Sequence, residues 1–174
     1  MTLLILYVVT TVIFLAIDAV GISFLIKPLF DRHIGDLYPE QMRVVPAALF
    51  YLAYVAGILW FVSWPALRDG DLTRVFINGA LLGLMCYGTY EFTNYATLKA
   101  WSPAQVIADT LWGGLLTGFA AWAGVAITTF AARRGGLRRF LGIPRLAMRA
   151  GGFLMGFGNR RADGQEVADE QRQR

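Results

Sequence analysis

Four long apolar runs constrain this chain more than anything else in it: about residues 3–25, 46–64, 75–98 and 103–132. A helix needs about 20 predominantly apolar residues to cross the hydrocarbon of a bilayer. Each run has that reach, and the breaks between runs are polar. Only 16% of the 174 residues are charged while 56% are hydrophobic, whereas a soluble domain would carry about a quarter charged residues. The deficit falls inside the runs. Lipid leaves no partner for open backbone groups, so helices are the expected spanning form. The expected fold class is therefore all-α: an integral membrane four-helix bundle with short loops and a basic cytoplasmic tail.

The first run lacks a basic segment before it and exceeds the apolar length of a signal peptide, so it reads as a retained helix. Residues 27–43 mix charges of both signs with Pro28, Gly35 and Pro39, which predicts a loop carrying a short interfacial helix. Pro46 suits the first turn of the second run, where a missing N–H costs nothing. Trp60, Trp64 and Trp101 are expected as interface anchors, because indole rings favour the headgroup level. Pro65–Arg74 reads as a short polar turn. Gly79 with Gly83, and Gly114 with Gly118, form small-xxx-small pairs that let the third and fourth helices approach closely.

Ten of the sixteen Lys and Arg residues follow residue 132, which by the positive-inside rule puts the tail, and with four spans the N-terminus, in the cytoplasm. Residues 133–158 form a basic amphipathic segment with Arg133, Arg134, Arg138, Arg139, Arg145 and Arg149, expected to lie on anionic lipid. Its glycines and Pro144 argue against one continuous helix. Residues 159–174 are polar without a hydrophobic period, and disorder is expected there. The net charge of +4 thus concerns topology and lipid, and no nucleic-acid partner is expected.

Three carboxyl groups, Asp18, Glu91 and Asp109, sit inside the apolar runs. An ionisable group at membrane depth is by default a functional-site hypothesis. Each lies six or seven residues from the outer end of its run, roughly 10 Å down at 1.5 Å per residue. Three acids from three helices at one depth could form a shared outward-opening site. Helical spacing puts Tyr87 and Asn94 beside Glu91, and Gln105 and Trp112 beside Asp109. No Lys or Arg lies within the runs, although Lys27 and Lys99 at the outer ends could snorkel down to the acids. The expected buried polar site comprises Asp18, Tyr87, Glu91, Asn94, Asp109 and Trp112. The blander alternative is that the acids only fasten helices through bonds to Tyr, Asn and Thr. One cysteine, Cys86, and one histidine, His33, leave no disulfide framework, no His-based triad and no metal site; no cofactor is expected.

Residues Tyr90–Leu98 (YEFTNYATL), Trp101 and Asp109–Gly113 (DTLWG) carry a resemblance. The pairing of Thr-Asn-x-Ala-Thr-Leu with Asp-x-x-Trp-Gly resembles a family of small four-span bacterial inner-membrane proteins, predicted membrane proteins of uncharacterised function. The likeness covers roughly Met1 to Ala132, with Asp18 in keeping and the tail from Arg133 an addition. Glu91 stands where that family more often has Asp, a departure that alters site geometry by one methylene. The resemblance implies fold and location, the bacterial inner membrane, and no activity.

The best-supported function is a non-enzymatic bundle whose acidic site takes a cation, a proton or a lipid headgroup. One alternative is an accessory or assembly subunit of a larger membrane complex, with structural carboxylates and a docking tail. Another is a lipid-modifying enzyme using Glu91 and Asp109 as acid and base, for which no nucleophile or metal-binding His is at hand. The candidate partners are the lipid bilayer, a homo-oligomer or larger membrane complex, and anionic lipids at the tail.

Overall fold

The computed structural model describes residues 2–41 and 43–133, save the side chains of Arg68, Asp69 and Arg133. Among these residues the regular structure is helical throughout: α1 (Thr2–Gly21), α2 (Lys27–Ile34), α3 (Val44–Ile58), α4 (Trp64–Asp69), α5 (Leu72–Thr97) and α6 (Pro103–Arg133). The expected basic segment beyond Arg133 and the polar tail lie outside the described residues.

The helices do not break where two prolines predict. A π-helical turn, Ile22–Ile26, joins α1 to α2, and another, Leu59–Ser63, joins α3 to α4. Each wide turn stands immediately before a residue followed by proline. Pro28 and Pro65 cannot donate, and a helical proline crowds the carbonyl four residues back. In both places the preceding residue donates five residues back, Lys27 N–H to Ile22 O and Trp64 N–H to Leu59 O. The extra residue in the turn gives the ring room, and the helix passes on. Hence residues 27–34, expected as loop with a short helix, continue the first helix, which ends in a 3₁₀ turn at Gly35–Leu37.

The expected polar turn from Pro65 is likewise helical as far as Asp69. Gly70 then adopts φ 72°, a left-handed stop that glycine takes without a Cβ penalty. Asp71 caps α5 by accepting the Arg74 N–H at 3.1 Å. A reciprocal capping box opens α6: Ser102 Oγ accepts from the Gln105 N–H at 3.3 Å, and Gln105 Oε1 accepts from the Ser102 N–H at 2.9 Å. Pro103 fills the first turn between them.

Three helices are long and apolar enough to cross a membrane: Thr2–Leu37, Val44–Leu67 and Pro103–Ala132. The fourth, α5, has the length at 26 residues but not the same apolarity.

Packing centres on α6, which touches α5, α1, α2, α4 and both wide turns. Its partner α5 runs antiparallel to it, and glycine makes the approach possible. A Cβ on Gly79 would lie 3.0 Å from Gly118 Cα, and one on Gly83 would overlap the Gly113 carbonyl. Against the other side of α6, α1 also runs antiparallel, with Thr10 over Gly124 and Gly21 against the Trp112 ring. One apolar cluster gathers Leu6, Phe14, Val55, Ile58, Val75, Leu116 and Val125; a second gathers Ile26, Phe30, Ile34, Trp101 and Val106. Trp112 packs against both and joins them.

Candidate functional site

Three helices deliver the three acids. Asp18 of α1, Glu91 of α5 and Asp109 of α6 are 3%, 0% and 8% exposed. Ionisable side chains are almost never this buried without partners, so the partners define the site.

Glu91 accepts a 2.7 Å hydrogen bond at Oε2 from Trp101 Nε1–H. Its other oxygen, Oε1, is buried without a donor among the described residues. The Asp109 carboxyl lies within hydrogen-bonding reach of Glu91. A bond between two carboxyls needs a proton on one of them, so this pair is a proton-sharing arrangement. Asp18 accepts from Trp112 Nε1–H at 3.2 Å, and the Tyr51 hydroxyl is within reach of it. Among the described residues, Glu91 is the group within hydrogen-bonding reach of the Asp109 carboxyl.

The acids are staggered rather than level. Trp112, which holds Asp18, lies three residues further along α6 than Asp109, about 4.5 Å deeper. The expectation of a common depth assumed that all three helices end at one plane. The first helix instead continues past it, so counting back from residue 25 misplaces Asp18. The structure arranges Trp101, Glu91, Asp109 and Asp18 as a descending series from the α5–α6 turn.

Asp18 and Asp109 both line a cavity of about 380 Å³. Tyr51 and Tyr54 from α3 and Tyr87 and Tyr90 from α5 complete its polar wall, and Ile22, Ile26, Phe30 and Phe50 its apolar one. Among the described residues no Lys, Arg or His lines it. Tyr54 and Thr117 hydroxyls hydrogen-bond at 2.9 Å, and the Tyr54 and Tyr87 rings meet edge-on at 6.3 Å. Two glycines set the rings: a Cβ at Gly113 would overlap the Tyr87 ring, and one at Gly21 the Trp112 ring. Among the described residues no group of three His, Cys, Asp or Glu is disposed to hold a metal ion.

Several expectations are corrected here. Trp101 is no interface anchor: it is 6% exposed, bonded to Glu91, and edge-on to Phe30 and Tyr90. Lys27 does not reach the acids, because Asp31, one turn along the same helix, holds its Nζ at 2.6 Å. Tyr87 and Asn94 do not hydrogen-bond Glu91. Tyr87 lines the cavity instead, and half-buried Asn94 takes part through its carbonyl, which accepts the Leu98 N–H at 2.8 Å. Gln105 is spent on the helix cap rather than on Asp109. Trp112 serves Asp18, not its near neighbour Asp109. Tyr51 and Tyr54 were not foreseen; two phenols three residues apart on one face of an apolar run were the available signal.

A family model described as Predicted membrane protein (DUF2177) matches residues 3–126. No curated protein and no solved structure matches the chain.

Proposed function

The chain belongs to the DUF2177 family of predicted membrane proteins, and on that footing we propose that it is a non-enzymatic four-span protein of the bacterial inner membrane whose acidic cavity binds a cation. α5 is the fourth span in this reading. The threonines that lower its apolarity carry satisfied hydroxyls: Thr89 donates to Met85 O at 2.7 Å, Thr93 to Thr89 O at 2.6 Å and Thr97 to Thr93 O at 2.8 Å. Self-bonded hydroxyls do not burden a helix in lipid as free ones do. The arginine-rich sequence after α6 supports a cytoplasmic position for that end and, with Lys99 alone in it, an outside position for the α5–α6 turn.

The observation that carries the binding reading is the cavity's charge. Two buried carboxyls from separate helices line it, with no basic residue in its wall among the described residues. A bound cation would supply the missing countercharge, and the tyrosine faces suit an organic ammonium ion through cation–π attraction. Simple helix fastening explains Glu91, held by Trp101, but not why Asp18 and Asp109 line one cavity together. The test is stabilisation of the purified full-length protein by quaternary ammonium ions at constant ionic strength. Apparent affinity should fall about tenfold or more in Asp109→Asn and Asp18→Asn, as expected when one partner of a buried charge pair is removed. Equal stabilisation of the double variant would refute the reading.

A further inference from the structure

We infer that the ligand of this cavity is an amphiphilic amine that enters sideways from the lipid, between α3 and α5. Its ammonium group would meet Asp109 while its alkyl tail remains in the bilayer. The inference rests on the cation-binding reading and adds the ligand's class and its route.

The route follows from where the cavity is closed and where it is open. At the α5–α6 turn it is closed by aromatics. Trp101 is edge-on to Phe30 of α2, with ring centroids 5.5 Å apart, and to Tyr90 of α5 at 5.6 Å. Its indole is pinned to Glu91, so this closure is tied to the acid series itself. The open side is the wall between α3 and α5. Ala47 and Phe50 form one lip and Cys86 and Tyr90 the other, all four exposed, with Phe50 at 66% and Tyr90 at 52%. Cys86 lies eleven residues before the end of α5, about 16 Å along the helix. Ala47, on the other lip, lies three residues after the start of α3, about 4.5 Å, so the mouth reaches from the headgroup level down into hydrocarbon.

The ligand's chemistry follows from what lies behind the mouth. Asp109 is more than nine-tenths buried and lines the cavity, and among the described residues the Glu91 carboxyl is the group within hydrogen-bonding reach of it. The apolar part of the lining is Ile22, Ile26, Phe30 and Phe50, which suits methylenes. A volume of about 380 Å³ equals the share of roughly a dozen liquid waters. That admits an ammonium head with a few methylenes, and leaves a longer tail to pass out between the lips.

Cys86 is the chain's single cysteine and sits in the mouth, so it reports occupancy directly. The rate of its alkylation by N-ethylmaleimide would be measured on the full chain in maltoside micelles. The additions would be dodecyltrimethylammonium, tetramethylammonium or dodecanol. Dodecyltrimethylammonium should slow alkylation about tenfold at saturation, and Asp109→Asn should abolish the protection. The other two compounds should leave the rate unchanged. Ala47→Phe, which fills an exposed lip without touching the acids, should also weaken protection, and it keeps the test decisive should Asp109→Asn not fold. Equal protection by tetramethylammonium would overturn the tail and the lateral route while leaving cation binding intact. Equal protection by dodecanol would overturn the role of charge, and the binding reading with it. If no compound protects, nothing passes Cys86 and the route is wrong; the stabilisation experiment then decides the binding reading separately.

Discussion

Trp101→Phe isolates the bond that holds the acid series at its upper end. Phenylalanine keeps a ring between Phe30 and Tyr90 but deletes the Nε1–H that Glu91 Oε2 accepts at 2.7 Å. In a soluble core, losing a hydrogen bond to an ionisable acceptor costs roughly 1.5–3 kcal/mol. Between membrane helices the measured coupling is smaller, about 0.6 kcal/mol on average and at most about 1.7, because separated helices find other partners in lipid. Glu91 belongs near the upper membrane value: it is 0% exposed and its second oxygen, Oε1, has no hydrogen-bond partner among the described residues. We expect a coupling of about 1.5 kcal/mol. Trp101→Phe alone would mix that with lost indole packing. The assay is therefore a double-mutant cycle with Glu91→Met, an apolar side chain of similar length, read by unfolding in mixed micelles. For a chain of this size the coupling corresponds to roughly 3–6 °C in Tm. A coupling below about 0.5 kcal/mol, less than the membrane average, would refute the claim that Trp101 holds Glu91 in place.

Two further outcomes test the fold around the site. Gly83→Ala should destabilise by up to about 2 kcal/mol: overpacking against the Gly113 carbonyl and Thr117 Cβ costs roughly 1–3, and helix propensity returns about 1. Gly57→Ala, where a Cβ meets nothing within 4 Å, should instead gain up to about 1 kcal/mol, and thermal unfolding of the two variants side by side checks the contrast. In a Cys86→Ala background, Lys99→Cys should react with an impermeant maleimide in intact cells, and Asp71→Cys only after lysis. Labelling of both from one side would show that α5 does not cross.

Membrane residence was legible from the apolar runs alone, because the cost of burying backbone and charge in lipid acts on stretches of sequence without regard to tertiary detail. The identities of the site's acids were legible for the same reason: Asp18, Glu91 and Asp109 each stand out within an apolar run. The glycines of α5 and α6 announced a close helix pair, since only residues without side chains permit it. Their partners were not legible. Trp101 and Trp60 are the same residue near the end of an apolar run, yet one is 6% exposed and bonded to Glu91 while the other is 64% exposed. The difference is made by the second half of the long first helix, whose Phe30 covers Trp101. That helix passes Pro28 only because one wide turn absorbs the ring, a local geometry that periodicity does not encode. Spacing along one helix pointed Tyr87 at Glu91 and Trp112 at Asp109, but hydrogen bonds here are made between helices. Rotation and stagger are set by packing, down to Gly21 and Gly113 making room for two rings. Composition and pattern thus determined that this chain enters a membrane and which of its groups are out of place there. The tertiary structure decided which of those groups meet, because contact between helices depends on side chains far apart in sequence that only packing brings to one level.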